Sequence, residues 1–337
     1  MWDVPGQEAL VKQLDRALRE GRIPHAYLLV GPPQTGQTIL AQNIAQAVNC
    51  LSEDDRPCHQ CSQCLRIAAG KHADVTVIAL GNKDGEGPRK EISIQEVRQL
   101  QQQASLMPYE GRWRVFIIDG AERMSEEAAN ALLKTLEEPP PQVLFLLLTS
   151  QEEGLLPTVR SRCQRLELRP VPHRLLVDTL VRERSLDPAQ ADRLARLAQG
   201  RPGWALAAAE SPDLLAQRAA DLEGLLALHT ASLEQRFSYA AELASAFSRE
   251  RESVKERLQL WLQWWRDVLL VAQGAEAYVH NADRVDDLKA HASRYSLGQA
   301  AAFARELLAT LEALDANASP LLALEVLMLK LPRGKDG

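Results

Sequence analysis

Aromatic residues are scarce, 5% of 337, so a core has to be built mainly from Leu, Ala, Val and Ile, a composition that favours helix. Long apolar runs are missing as well. The longest uninterrupted one is Val143–Leu148, far short of the roughly 18 residues that span a bilayer. The start, Met1-Trp2-Asp3-Val4-Pro5, lacks the basic and apolar regions of a secretory signal. A soluble, cytoplasmic protein with no membrane contact is expected. There is no basic excess either: 39 basic and 45 acidic residues give a net charge of −6. That argues against a chain that coats nucleic acid by itself, because non-specific binding rests on phosphate neutralisation. At 46% hydrophobic and 25% charged residues, a disordered or fibrous chain is excluded. The length suggests about two to three domains.

The first half alternates short apolar runs with helical patterns. Strands are expected at Ala26–Val30, Val75–Leu80, Val115–Ile118 and Val143–Leu148, and helices at Gln37–Val48, Ile94–Leu106 and 126–138. Ser125 is placed to cap the last helix, and Pro139-Pro140-Pro141 stops it. Gly81–Lys90 reads as a charged, Gly-rich loop. Strands separated by helices imply a parallel sheet covered on both faces, with sites at the carboxyl ends of its strands. Gly31, Asp119 and Thr149 fall there. After about residue 170 strand signals cease. Short helices are expected over 173–208 and long amphipathic ones from Pro212. Val254, Leu258, Trp261, Trp265 and Val268 recur at helical spacing, which points to a buried helix rather than a base-stacking platform.

Gly31-Pro32-Pro33-Gln34-Thr35-Gly36-Gln37-Thr38 matches the phosphate-loop pattern G-x-x-x-x-G-K-[ST] except at the lysine, which is Gln37. Backbone N–H groups and a helix N-terminus suit phosphates, but Gln37 brings no charge to the β- and γ-phosphates. Asp119 ends an apolar strand, where the magnesium-side carboxylate of a phosphate-loop enzyme sits. The next position, where many such ATPases carry a Glu that orients water, is Gly120. Glu122 is two residues too late and reads as a surface carboxylate. Gly31, Gly36, Gln37, Thr38 and Asp119 therefore form a degenerate nucleotide site. ATP and Mg²⁺ are expected to bind weakly or not at all, without useful turnover.

Arg160, Arg162, Arg165, Arg169 and Arg174 lie within fifteen residues holding a single acid, Glu167. Solvation at a surface accounts for most of them. Cys50, Cys58, Cys61 and Cys64 cluster with spacing C-x7-C-x2-C-x2-C, while Cys163 stands apart. Four thiolates from one loop suit a closed tetrahedral zinc site. An iron–sulfur cluster is disfavoured because no fourth Cys lies downstream before a Pro. Unliganded thiols are the remaining alternative.

Three stretches carry a family resemblance: Gly31–Thr38, Asn130-Ala131-Leu132-Leu133-Lys134-Thr135-Leu136-Glu137-Glu138-Pro139-Pro140, and Ser161-Arg162-Cys163. With the cysteine cluster and Asn317-Ala318-Ser319-Pro320, they make the chain resemble the AAA+ subunits of bacterial DNA polymerase clamp loaders over nearly its whole length. The resemblance implies an α/β AAA+ P-loop domain over 1–170 with a zinc module at 50–64. It further implies a helical lid over 171–210 and an all-α collar over 211–337. In Gly200-Arg201-Pro202-Gly203-Trp204-Ala205-Leu206 the family's motor subunits carry an arginine where Gly203 stands, and a serine where Arg201 stands. With Gln37 and Gly120, this departure implies the non-hydrolysing member of the ring. Arg162 is then implied to be a finger reaching the ATP site of a neighbour, which a planar, permanently charged guanidinium can do. Implied partners are the gamma/tau motor subunits, the delta subunit and, through the complex, the sliding clamp and primed DNA. Zinc is the metal implied for the cysteines. Arg98 and Lys134 are candidates for phosphate contacts in the central chamber. The rival readings are an active gamma/tau-like motor ATPase and a free-standing DNA-binding protein.

Overall fold

In the computed structural model, which describes residues 2, 4–80 and 91–332, the four apolar runs become strands β1 (Ala26–Val30), β2 (Val75–Ala79), β3 (Arg114–Asp119) and β4 (Val143–Thr149). The segment 81–90, expected as a loop, lies outside the described residues. A fifth strand, β5 (Gln164–Glu167), arises inside the arginine-rich stretch, where no strand is expected from the sequence. Only Leu166 of its four residues is buried. An edge strand needs one inward residue and tolerates charge on the rest. The sheet order is β2-β3-β4-β1-β5, and every pairing is parallel.

Helices α1 (Glu8–Arg19), α2 (Gln37–Asn49), α3 (Ser62–Ala68), α4 (Ile94–Ala104), α5 (Glu126–Glu137) and α6 (Pro157–Arg160) accompany this sheet, and α7 (His173–Arg184) follows β5 in the chain. All seven residues of β4 are buried, because the strand is central and covered on both sides. Its alternate residues serve different cores. Leu144, Leu146 and Leu148 join Leu29, Leu40 and Ile44 of β1 and α2, whereas Val143, Phe145 and Leu147 join Leu100 and Leu132 of α4 and α5. Both α4 and α5 start at serine caps: Ser93 and Glu96 form a reciprocal capping box, and Ser125 Oγ accepts from Ala128 N at 3.1 Å.

The rest is helical: α8 (Pro188–Ala198), α9 (Pro202–Glu210), α10 (Pro212–Leu228), α11 (Leu233–Arg249), α12 (Arg251–Ala272), α13 (Val285–Arg294), α14 (Leu297–Asp315) and α15 (Pro320–Lys330). In α12, Trp261, Trp264 and Trp265 are fully buried with Val254, Leu258 and Val268, as helical spacing requires of a core helix. They pack with Phe303, Leu307 and Leu327 of α14 and α15. The chain divides into two compact units, Met1–Thr179 with Gly200–Trp204, and Leu180–Gln199 with Ala205–Gly337. The fold class is thus an α/β P-loop module with a parallel sheet, joined to an all-helical region. Among the described residues no helix is long and apolar enough to cross a membrane.

Candidate functional site

The loop Gly31–Gly36 leaves the carboxyl end of β1 and enters α2 at Gln37. The side chain of Gln37 turns back onto the sheet rather than outward. Its Nε2 donates to Thr149 O at 2.8 Å, Gly31 O at 3.1 Å and Leu29 O at 3.3 Å. The amide that replaces the lysine is therefore committed to backbone carbonyls. Thr35 Oγ1 donates to Pro32 O at 2.7 Å and fixes the loop from within.

Asp119 stands at the end of β3, beside Thr38. Burial and the nearby Glu122 carboxylate push the Asp119 carboxyl above its ordinary range, while the Thr38 side chain and the Gly120 backbone, both hydrogen-bonded to it, partly offset this. Glu122 is not the plain surface carboxylate expected from sequence. Its Oε1 accepts from Ser150 Oγ at 3.2 Å, and its buried Oε2 has no hydrogen-bond partner among the described residues. The short helical turn 121–123 that follows β3 carries it inward. Gly120 has φ +74°, a conformation that a glutamate would adopt only under strain.

Gly203 closes the loop from the other side. Its N–H donates to Gln34 O at 3.0 Å, and a Cβ there would stand 3.1–3.2 Å from Gln34. A side chain at this position requires Gln34 to give way by a few tenths of an ångström. The guanidinium of Arg201 lies over the Trp204 ring, 5.8 Å from its centroid.

Arg162 sits elsewhere. It follows α6 and precedes β5, whose Gln164 is level with Tyr27 of β1. In a parallel sheet this places it at the amino edge, while Gly31, Asp119 and Thr149 mark the carboxyl edge. The four residues of β5 separate the two edges by about 13 Å. Arg162 Nη2 meets Glu137 Oε1 at 2.5 Å and Nη1 donates to Thr158 O at 2.9 Å. The side chain keeps 32% of its exposure. The other arginines of the stripe are not a bare positive surface: Arg165 pairs with Glu152 and Glu167 at 2.8 and 2.9 Å. Arg98 on α4 and Lys134 on α5 are both exposed, on helices joined by Gln101 Nε2 donating to Ala131 O and Thr135 Oγ1.

Cys50 ends α2, Cys61 caps α3 and Cys64 lies in its first turn. With Cys58, the four sulfurs all lie within 4.8 Å of one another, close to the about 3.8 Å separation that tetrahedral zinc–thiolate bonds of about 2.3 Å produce. Backbone N–H groups of Cys61 and Cys64 point at the sulfurs of Cys58 and Cys61, at 3.3 and 3.5 Å, which suits thiolates. The residues fit a closed tetrahedral metal site. Gln46 Nε2 adds a bond to Cys64 O at 2.9 Å, tying α2 to α3. Cys163 is set apart, and burial pushes its thiol up to about 12, which disfavours the nucleophilic thiolate.

What sequence reasoning missed is the brace around this module. Asp74 accepts the N–H groups of Tyr109, Glu110 and Gly111 at 2.7–2.8 Å and pairs with Arg114 at 3.0 Å. Glu110 also pairs with Arg66 of α3. No local pattern marks these residues, because the partners lie 35–44 positions apart.

Two family models match the chain: "DNA polymerase III, delta subunit" over residues 6–172 and "DNA polymerase III, delta subunit, C terminal" over 205–332. The delta prime subunit of DNA polymerase III from Bacillus subtilis is 30% identical over 331 residues, 97% of either chain. The tau subunit of the same organism is 37% identical over 176 residues, 52% of this chain but 30% of that one; the chain thus spans under a third of that tau relative. Among solved structures, a gamma subunit-related protein of Thermotoga maritima aligns at TM-score 0.39 and 20% identity, covering 95% of this chain and 99% of that one. The RuvB branch-migration motor of the same organism aligns at TM-score 0.43 and 23% identity over 61% of each. On the near full-length relative and the two matching models, the chain belongs to the DNA polymerase III delta prime family.

Proposed function

We propose that this chain is the delta prime component of a replicative clamp loader, an AAA+ protomer that hydrolyses no ATP and lends Arg162 to the ATP site of a neighbouring gamma/tau motor subunit. The observation that carries the reading is the pair of commitments at opposite edges of one sheet. At the carboxyl edge, the Gln37 amide is spent on Thr149, Gly31 and Leu29 carbonyls, and Gly120 and Gly203 supply no catalytic side chain. At the amino edge, Arg162 is half-exposed and about 13 Å of strand away from its own loop. A guanidinium there serves a nucleotide only if another protomer brings it.

The division into a P-loop domain over 1–170, a lid over 171–210 and a collar over 211–337 belongs to the same reading. In the collar, Leu322, Val326 and Leu329 of α15 keep 63, 45 and 57% exposure at spacings of four and three, while Leu324, Leu327 and Met328 fill the core. That outer stripe suits packing against collar helices of the motor and delta subunits. Zinc at Cys50, Cys58, Cys61 and Cys64 is structural, holding α2 to α3. The sliding clamp and primed DNA are engaged through the complex, with Arg98 and Lys134 as phosphate contacts.

The motor-like reading draws support from the 37% identity to tau over the N-terminal half; Gln37, Gly120 and Gly203 oppose it. The test is ATP hydrolysis by the purified chain alone and assembled with motor subunits, with and without Arg162→Ala. The expected result is no turnover alone, and an approximately 10³-fold slower reaction at the served site in the Arg162→Ala complex. Hydrolysis by the isolated chain would restore the motor reading, and an unchanged complex would remove the finger.

A further inference from the structure

The guanidinium of Arg162 is not left to find its own position. Glu137 Oε1 takes Nη2 at 2.5 Å, the Thr158 carbonyl takes Nη1 at 2.9 Å, and Ser161 Oγ lies 3.5 Å from Nη1. Glu137 is the last residue of α5 and is followed by Glu138 and three prolines. A carboxylate at this end faces the negative pole of the helix, so helix stability does not explain it. Nor does fold stability: with 32% and 51% of the two side chains exposed, such a pair contributes little to folding. What the carboxylate does supply is direction, since it removes rotamer freedom from a long side chain whose fork then points one way.

Among the described residues, Nε–H and the second N–H of Nη2 make no hydrogen bond. They remain available for an incoming anion while Glu137 and Thr158 keep their hold. A carboxylate that consumed every donor would compete with phosphate; this one leaves donors free.

We propose that Glu137 is a positioning residue for Arg162, holding the guanidinium ready for the phosphates of a neighbouring protomer. The inference rests on the reading of Arg162 as a finger in trans, and the experiment separates the two. The assembled complex is followed by single-turnover ATP hydrolysis, in which the served site is the phase that Arg162→Ala slows. Glu137→Gln is expected to slow that phase by about 5- to 50-fold, at unchanged ATP concentration dependence. The double variant is expected to be no slower than Arg162→Ala. Native mass spectrometry checks that Glu137→Gln still assembles with the motor subunits. If Arg162→Ala slows no phase, the finger itself fails. If Arg162→Ala slows a phase that Glu137→Gln leaves intact, the positioning role alone fails. Additive losses in the double variant, or loss of assembly in Glu137→Gln, would also overturn it, by showing that Glu137 acts independently of the guanidinium.

Discussion

The side-chain amide of Gln37 donates to the backbone carbonyl of Thr149 at 2.8 Å, joining the first residue of α2 to the last residue of β4. The same nitrogen reaches the carbonyls of Gly31 and Leu29. A lysine at this position would aim a charge at phosphate; the glutamine works as a brace between the loop and the strand ends.

Gln37→Ala should therefore weaken the protein even without nucleotide. Removing a donor shared among the carbonyls of three buried residues costs about 1–3 kcal/mol. Chemical denaturation of the P-loop unit, followed by circular dichroism, reads this directly. An unchanged midpoint would mean that water replaces the amide without loss.

One zinc per chain is expected in purified protein, bound by Cys50, Cys58, Cys61 and Cys64. Because a metal that binds only the folded form stabilises it by mass action, at free zinc a thousandfold above Kd the gain is about 4 kcal/mol. Chelation or Cys64→Ser should remove the metal and lower the melting temperature, measured by elemental analysis and calorimetry on the same samples. Metal loss without a thermal shift would leave the cysteines without a structural role.

The helical unit should be sensitive to acid through two imidazoles. Burial holds His229 down to about 3, helped by the positive charges of His291, Arg236 and Arg294; burial and Arg294 hold His291 down to about 4, against a small opposing effect of Asp287. The contacts agree: Trp264 Nε1 donates to His291 Nδ1 at 3.1 Å, which requires an unprotonated acceptor, and Tyr295 Oη lies 2.9 Å from His229 Nδ1. Both groups are depressed below the ordinary 6.5, so stability is intact above that pH. As pH falls further, the unfolded chain takes up protons that the folded one refuses. Each imidazole then costs on the order of 1 kcal/mol per pH unit, until about pH 4 for His291 and about 3 for His229. Denaturation midpoints between pH 7 and 4.5 test this. The double variant His229→Gln/His291→Gln should lose the part of the slope that these groups supply.

Arg98→Ala and Lys134→Ala should act on DNA only through the assembled complex. If each neutralises one phosphate of duplex DNA, each lowers the dependence of log affinity on log salt by about 0.9. A slope unchanged in both variants would take these residues out of the DNA path.

The strands that the sequence marked well are those with a continuous apolar or β-branched run, whether central like β4 or at the edge like β2. β4 is legible because continuous apolarity, Val143–Leu148, is what a central parallel strand requires. β5 was not, because Gln-Arg-Leu-Glu has a single inward residue and its identity as a strand comes from pairing with β1. The caps at Ser125 and the buried tryptophans of α12 followed local periodicity and were legible for that reason. Glu122 is half at the surface and half enclosed, and only the turn after β3 decides that its Oε2 is covered.

At the candidate site the division is similar. Sequence alone determined which chemical groups exist: no lysine at 37, no side chain at 120 or 203, four thiols within fifteen residues, and an arginine between serine and cysteine. Those facts are covalent, and no folding alters them. Tertiary structure decided where the groups point. It turned Gln37 inward, set Arg162 at the opposite edge of the sheet under the hand of Glu137, and gathered residues 64 and 66 with a brace from position 110. Distances between residues far apart in the chain depend on strand order and register, and these are settled by simultaneous burial of two sheet faces rather than by any local run of sequence.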